Sequence, residues 1–245
     1  MWKATLVILL ISGITVANPF ICQAQESENK EGWHFTIAPY IYAPTVSGDV
    51  IINNNPGKIP STKLNIGGML YIEAYSPKWS IASDLMLMDV STDITMNKSG
   101  REGTYNIKPT IVGLYSLWRV AKWLEVGIGG RLVSSKSNLQ VPAGIILSEI
   151  DAEFHSVIVD PLIVTRFTFL KTKKWQIAMR GDVGAFGLLG YFTWLVNPYA
   201  GFKISKVFEV NLGYRVLSLY HDDSENNDRL DLLLYGPQAG LLIHF

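Results

Sequence analysis

The sequence is poor in cysteine, in net charge and in long hydrophobic runs, and each shortage excludes a class of protein. Its 245 residues include one cysteine, so no intramolecular disulfide framework can form. Acidic and basic residues are equal in number, at 21 each, which argues against nucleic acid as a partner. After residue 24 no stretch approaches about 18 consecutive apolar residues, so the sequence predicts no transmembrane helix there.

The first 24 residues have the pattern of a secretory signal peptide. Lys3 supplies the positive start, and the apolar stretch at 5–16 is too short for a spanning helix of roughly 20 residues. Cleavage after Ala24 would remove Cys22. We therefore expect residues 1–24 to be the signal and residues 25–245 to be one exported domain.

Alternation of apolar with polar or small residues runs through the rest of the chain. In residues 175–180 every second side chain is large and apolar, which predicts a β-strand with one apolar face. Aromatic residues open several such segments just past short polar turns, as an interfacial girdle of a membrane barrel requires. The expected interface aromatics are Trp33, Trp79, Trp123, Trp175, Phe208 and the last residue, Phe245.

Short and long connections alternate between the predicted strands. Tight turns on one side and long loops on the other are typical of outer-membrane barrels, whose short turns face the periplasm. We therefore predict an all-β, antiparallel transmembrane β-barrel of about 10 strands, with about 8 or 12 as alternatives. The predicted strands are 32–45, 62–76, 79–92, 104–118, 123–135, 153–169, 175–186, 191–204, 207–219 and 230–245, and the long loops lie near 46–61, 93–103, 136–152 and 220–229.

Ten charged residues of the strands each have the parity opposite to that of the aliphatic residues counted from the aromatic openers. Because Arg or Lys on a lipid-facing surface near the midplane costs roughly 2–4 kcal/mol, we expect the charged face to point into the barrel. The facing of 104–118 stays open, since Tyr115 and Trp118 have opposite parities. The predicted interior polar network comprises Glu73, Asp84, Glu125, Arg131, Asp160, Arg166, Arg180, Asp182, Glu209 and Arg215.

A soluble, exported β-sandwich or lipocalin-like barrel is the alternative fold. Its apolar face would point inward and its charges outward, and periodicity alone does not distinguish the two. The aromatic openers, the unequal loops and Phe245 favour the membrane barrel.

Several pieces of the chain resemble a group of uncharacterised proteobacterial outer-membrane barrel proteins. The resemblance implies an outer-membrane barrel broadly like the OmpA type, and it implies no activity. The matching pieces are Trp33-x-Phe35-x-x-x-Pro39-Tyr40 with Ala43 and Gly48, Asp160-Pro161, residues 180–187, Gly213-Tyr214-Arg215, and residues 236–240 running to Phe245.

The predicted interior network admits three interpretations. Buried charges in a small barrel must pair, which favours a structural salt-bridge network. A narrow polar path for small solutes and paired carboxylates for acid–base catalysis are the alternatives. The sequence has no Gly-x-Ser-x-Gly elbow and no metal-ligand spacing. We therefore expect a non-enzymatic barrel without cofactor or metal, with a lipid-modifying enzyme or a hydrophobic-ligand-binding barrel as the competing class.

The predicted location fixes the expected partners. We expect an outer-membrane protein of a Gram-negative cell in contact with membrane lipid and lipopolysaccharide. The acidic stretch 221–228 is expected to be a solvated loop, with a place where divalent ions bridge to lipopolysaccharide phosphates as the alternative. A final strand that ends in Phe245 resembles the segment read by the barrel-assembly machinery. A small solute is a further candidate partner, and nucleic acid is not expected.

Overall fold

The computed structural model describes residues 32–52, 55–95, 102–141, 150–186, 190–223 and 228–245. The expected signal, residues 1–24, lies outside the described residues. Within these ranges the structure has no helix that is long and apolar enough to cross a membrane. The strands are β1 His34–Tyr42, β2 Thr45–Ile52, β3 Asn55–Tyr75, β4 Trp79–Thr95, β5 Glu102–Ala121, β6 Leu124–Val141, β7 Ile150–Lys171, β8 Trp175–Gly184, β9 Tyr191–Lys203, β10 Phe208–Asp223 and β11 Asp228–His244.

The strands close into one antiparallel barrel. From β3 to β11 each strand pairs with its neighbour in sequence, and β11 then pairs with β1 and β2. Both β1 and β2 also pair with β3, so they are two halves of one strand interrupted at Ala43-Pro44. A proline lacks the amide hydrogen that a continuous ladder needs, which accounts for the break. The prediction of a ten-stranded all-β barrel is confirmed, and 8 or 12 strands are excluded.

The predicted long loops are wrong in extent, because the strands run much further. Residues 45–52 and 55–61 form strands, although 46–61 was predicted to be a loop. The strands that lead into the other three predicted loops extend to residues 95, 141 and 223. Backbone pairing continues there without an alternating apolar face, so the sequence pattern ends before the strand does. Residues 142–149 of the predicted loop at 136–152 lie outside the described part of the chain.

The outer surface of the barrel is apolar at its waist. Ile41 and Ile128 are each 72% exposed and Val159 is 74% exposed. On β5 Trp118 points outward and Tyr115 inward, which settles the facing of that strand. A sheet whose exposed face carries aliphatic side chains has the reverse of the pattern expected for a soluble barrel.

Aromatic side chains collect at the end of the barrel that carries the short turns, here called the short-turn end. Each predicted interface aromatic is exposed, and three have a ring partner on the adjacent strand. Trp118 stacks on Trp79 with centroids 6.2 Å apart. Phe167 and Phe202 partner Trp123 and Trp175 at 6.2 and 4.8 Å. The exposed predicted set is Trp33, Trp79, Trp123, Trp175, Phe208 and Phe245.

Candidate functional site

The barrel interior contains all ten predicted network residues. Nine are buried, and the Arg166 side chain is 13% exposed. The structure divides them into two separate ion-paired groups and one isolated glutamate. The first group, here called the central network, comprises Asp84, Arg131, Asp160, Arg180, Asp182 and Arg215.

The central network is built around Arg180. Its guanidinium donates to Asp84 at 3.2 Å, to Asp182 at 3.0 Å and to the Tyr115 hydroxyl at 2.7 Å. Arg215 donates to the same carboxylate of Asp84 at 2.9 Å. These contacts join β4, β5, β8 and β10, so they brace the barrel across its lumen.

Arg131 completes the central network. It pairs with Asp182 and lies 3.6 Å from Asp160. The Thr193 hydroxyl donates to Asp160, which is fully buried. The central network therefore contains as many aspartates as arginines and is neutral by formal charge. Such balance is required, because removing one partner of a buried pair leaves an uncompensated charge.

A second group, here called the lower network, lies nearer the short-turn end. Arg166 donates to Glu73 at 2.7 Å and pairs with Glu125. Arg119 also donates to Glu125, at 2.6 and 2.9 Å, although the sequence analysis did not include this arginine. The Tyr71 hydroxyl donates to Glu73 at 2.8 Å. This group is also balanced, with two arginines and two glutamates.

Glu209 belongs to neither network. Its shared parity with Arg215 suggested a pair, but Arg215 binds Asp84 and lies 3.2 Å from Gln238 instead. The Glu209 carboxylate lies 3.2 Å from Nε2 of His244 on the neighbouring strand. Parity placed both side chains inside the barrel but could not set their partners.

Beyond the central network, away from the short-turn end, the interior becomes apolar. Met86 follows Asp84 by two positions, and Leu217 follows Arg215 in the same way. The sequence analysis did not predict this apolar layer. Its buried members are Tyr42, Val46, Met69, Met86, Met88, Val90, Ile111, Val133, Leu195, Leu217 and Leu234.

Two inward glycines make room for tyrosine rings. A Cβ at Gly240 would collide with the ring of Tyr40, and a Cβ at Gly129 would lie 2.5 Å from the Tyr115 Cβ. Glycine at these two inward positions therefore lets the tyrosine side chains lie close to the neighbouring backbone.

A polar cavity of about 140 Å³ lies between the central network and the short-turn end. Arg180 and Arg215 are buried at its inner limit, whereas Lys171 is exposed and the Arg119 side chain is 33% exposed. The cavity therefore opens at the short-turn end. Its walls between these limits carry tyrosine hydroxyls and side-chain amides together with the charged side chains of Arg166, Glu73, Glu125 and Glu209.

Comparison with known proteins gives a likeness of fold. No protein-family model matches the sequence, and no curated protein matches it. The outer-membrane protease OmpT of Escherichia coli superposes with a TM-score of 0.50 and 10% identity, over 91% of this chain and 99% of that one. The translocator domain of the autotransporter NalP of Neisseria meningitidis gives 0.49 and 10%, over 99% and 95%.

The chain has the fold of outer-membrane β-barrels. At 10% identity the likeness to OmpT extends to the fold alone and transfers no activity. The resemblance to proteobacterial outer-membrane barrels is therefore supported in fold, and no sequence family is assigned.

Proposed function

We propose that this chain is an integral protein of the Gram-negative outer membrane. The observation that carries the proposal is the distribution of side chains on a closed barrel. Exposed aliphatic residues cover the waist, aromatic residues ring one end, and the charges are paired inside. In a soluble β-sandwich or lipocalin-like barrel, the aliphatic residues would point inward and the charged residues outward. By analogy with other outer-membrane barrels, the short-turn end faces the periplasm.

The proposed role is structural, with a lumen closed to through-passage. The central network fills the lumen with paired side chains, and the apolar layer seals the next level. Small barrels have interiors that side chains just fill. A narrow solute passage is the second candidate, and the polar cavity at the short-turn end is the observation that favours it.

We propose a non-enzymatic role. Glu73 and Glu125, which line the cavity, are each bound by an arginine, so neither is placed as a free general base. A lipid-modifying enzyme is the competing class. A change in lipid A acylation that follows expression of the protein would contradict the non-enzymatic proposal.

The proposed partners follow from the proposed location. Lipid contacts the apolar waist, and lipopolysaccharide contacts the strand ends opposite the short turns. The barrel-assembly machinery would engage β11, whose pairing with β1 closes the barrel. These three partners stay proposals.

The membrane proposal predicts opposite fates for two arginine substitutions. Val159→Arg, at the waist, should lower the free energy of unfolding in lipid vesicles by about 2–4 kcal/mol, since it places a charge in hydrocarbon. Ile204→Arg is the control, because Ile204 is 63% exposed but lies in a short turn. The folded protein should also need detergent for extraction and migrate differently on a gel after heating. A detergent-free soluble monomer that tolerates both substitutions would refute the proposal.

The closed lumen predicts an electrically silent barrel. The purified protein should insert into planar lipid bilayers without steady ion conductance, because the proposed apolar seal would block ions. Measurement of current at several voltages checks this. Discrete, reproducible channel openings would contradict the closed lumen and favour the solute passage.

A further inference from the structure

We propose that the cavity at the short-turn end binds a small hydroxylated organic anion, of the phosphate or carboxylate class. Lys171, Lys203 and Arg119 would hold the charged group at the mouth. The proposed membrane orientation matters to this inference only because it decides that the periplasm supplies the ligand.

The mouth of the cavity carries positive charge that the barrel does not neutralise. Lys171 on β7 is opposite Gln176 on β8, which in turn is opposite Gly201 on β9. Lys203 lies two residues beyond Gly201 on the same face of β9, so both lysines lie on one side of the opening. Neither lysine forms an ion pair with a carboxylate in the described parts of the chain. Both networks behind them are already balanced.

Two carboxylates lie near this pair, and each has another contact: Glu125 lies near Lys171 but is paired with two arginines. Glu209 is opposite Lys203 in register, but its side chain leans over Gly201 and its carboxylate lies 3.2 Å from His244 Nε2. Arg119 contributes a third partly exposed cation beside Glu125. An anion at the mouth therefore meets two lysines and one arginine, of which only the arginine is ion-paired.

The inner wall suits hydroxyl groups. Asn211 lines the cavity and is 2% exposed, and its Oδ1 accepts no hydrogen bond from any described residue. A buried acceptor left unpaired is costly, so a ligand hydroxyl that reaches it after a small rotation of the amide is favoured. Tyr199, Asn197 and Gln176 add further hydroxyl and amide groups.

The volume limits the size of the ligand. A water-sized volume is about 10–15 Å³, so the cavity holds about ten non-hydrogen atoms. A three-carbon polyol phosphate matches that size, carries one anionic group and presents two hydroxyls. Glycerol 3-phosphate is therefore the probe of choice, and the same headgroup chemistry occurs in phosphatidylglycerol.

The test is calorimetric titration of the full-length protein, folded in neutral detergent at fixed ionic strength. Glycerol 3-phosphate should bind saturably, and glycerol should not. The double substitution Lys171→Gln and Lys203→Gln should weaken binding at least tenfold. The control, Lys174→Gln and Lys206→Gln, removes the same charge from the short turns and should leave binding unchanged. Lys171→Arg should retain binding, which separates loss of charge from loss of folding.

Two results would overturn the site: no saturable binding to the wild-type protein, or an equal loss in both double variants. Micelles containing phosphatidylglycerol distinguish the sources. Competition with glycerol 3-phosphate would assign the site to a lipid headgroup, and absence of competition would assign it to a free solute. Because binding is measured in detergent, a failure here is distinguishable from a failure of the closed-lumen proposal.

Discussion

Replacing Arg180 by leucine is expected to lower the free energy of unfolding of the barrel by about 3–5 kcal/mol. The guanidinium is buried and binds Asp84, Asp182 and the Tyr115 hydroxyl. Without it, the three carboxylates of the central network face two arginines inside the lumen, and one negative charge is left without compensation. Equilibrium unfolding in denaturant, extrapolated to water, measures the change.

A second substitution should recover much of that loss. Adding Asp182→Asn to Arg180→Leu leaves two complete pairs, Arg131 with Asp160 and Arg215 with Asp84. Arg119→Leu is the control, because that side chain is 33% exposed and Glu125 keeps Arg166; its cost should be about 1 kcal/mol or less. If Arg180→Leu leaves stability unchanged and raises conductance, Arg180 is a gate and the structural interpretation fails.

The inward placement of these charges was predictable from the sequence, and their pairing was not. A strand alternates its faces at period two, so Arg180 and Asp182 must share a face once the outward face is known. The partners lie across the lumen: Arg180 and Asp84 are 96 residues apart. Barrel closure and strand tilt decide which side chains meet, and no local pattern in the sequence encodes either.

The apolar layer escaped prediction for a different reason. Met86, Leu87 and Met88 are consecutive, with Leu87 50% exposed on the outside and both methionines buried inside. Where both faces of a strand are apolar, alternation vanishes and the pattern does not reveal an apolar layer inside the barrel.

The missed cations lie where strands meet turns. Arg119 and Lys171 fall in segments predicted to be tight turns. Lys171 follows an irregularity in strand pairing that shifts the parity by one residue, so counting from the aromatic openers fails there. Arg119 keeps the inward parity of Tyr115 and Leu117, on the strand whose facing the sequence left open. The candidate ligand site is consequently the part of the molecule that the sequence predicted least well.

Deletion of Phe245 is expected to reduce the amount of assembled barrel in cells several-fold. Its amide donates to the carbonyl of Phe35 at 2.9 Å, and the Phe35 amide donates back at 3.3 Å, so the residue closes the seam between β1 and β11. Its ring is 68% exposed at the short-turn end, and we propose that the assembly machinery reads it. The measurement is the ratio of folded to unfolded protein in cells.

Phe245→Ala separates the two contributions, because it keeps the backbone hydrogen bonds and removes the ring. Loss of one exposed ring contact should cost about 1–3 kcal/mol at most, and the purified variant should refold in detergent nearly as well as the wild type. Phe208→Ala is the control, since Phe208 is an exposed aromatic at the same end of the barrel but lies at the start of β10. We expect Phe245→Ala to impair assembly in cells while Phe208→Ala does not. Equal assembly of the two variants would refute the recognition of Phe245, and normal assembly after its deletion would show that the seam does not depend on it.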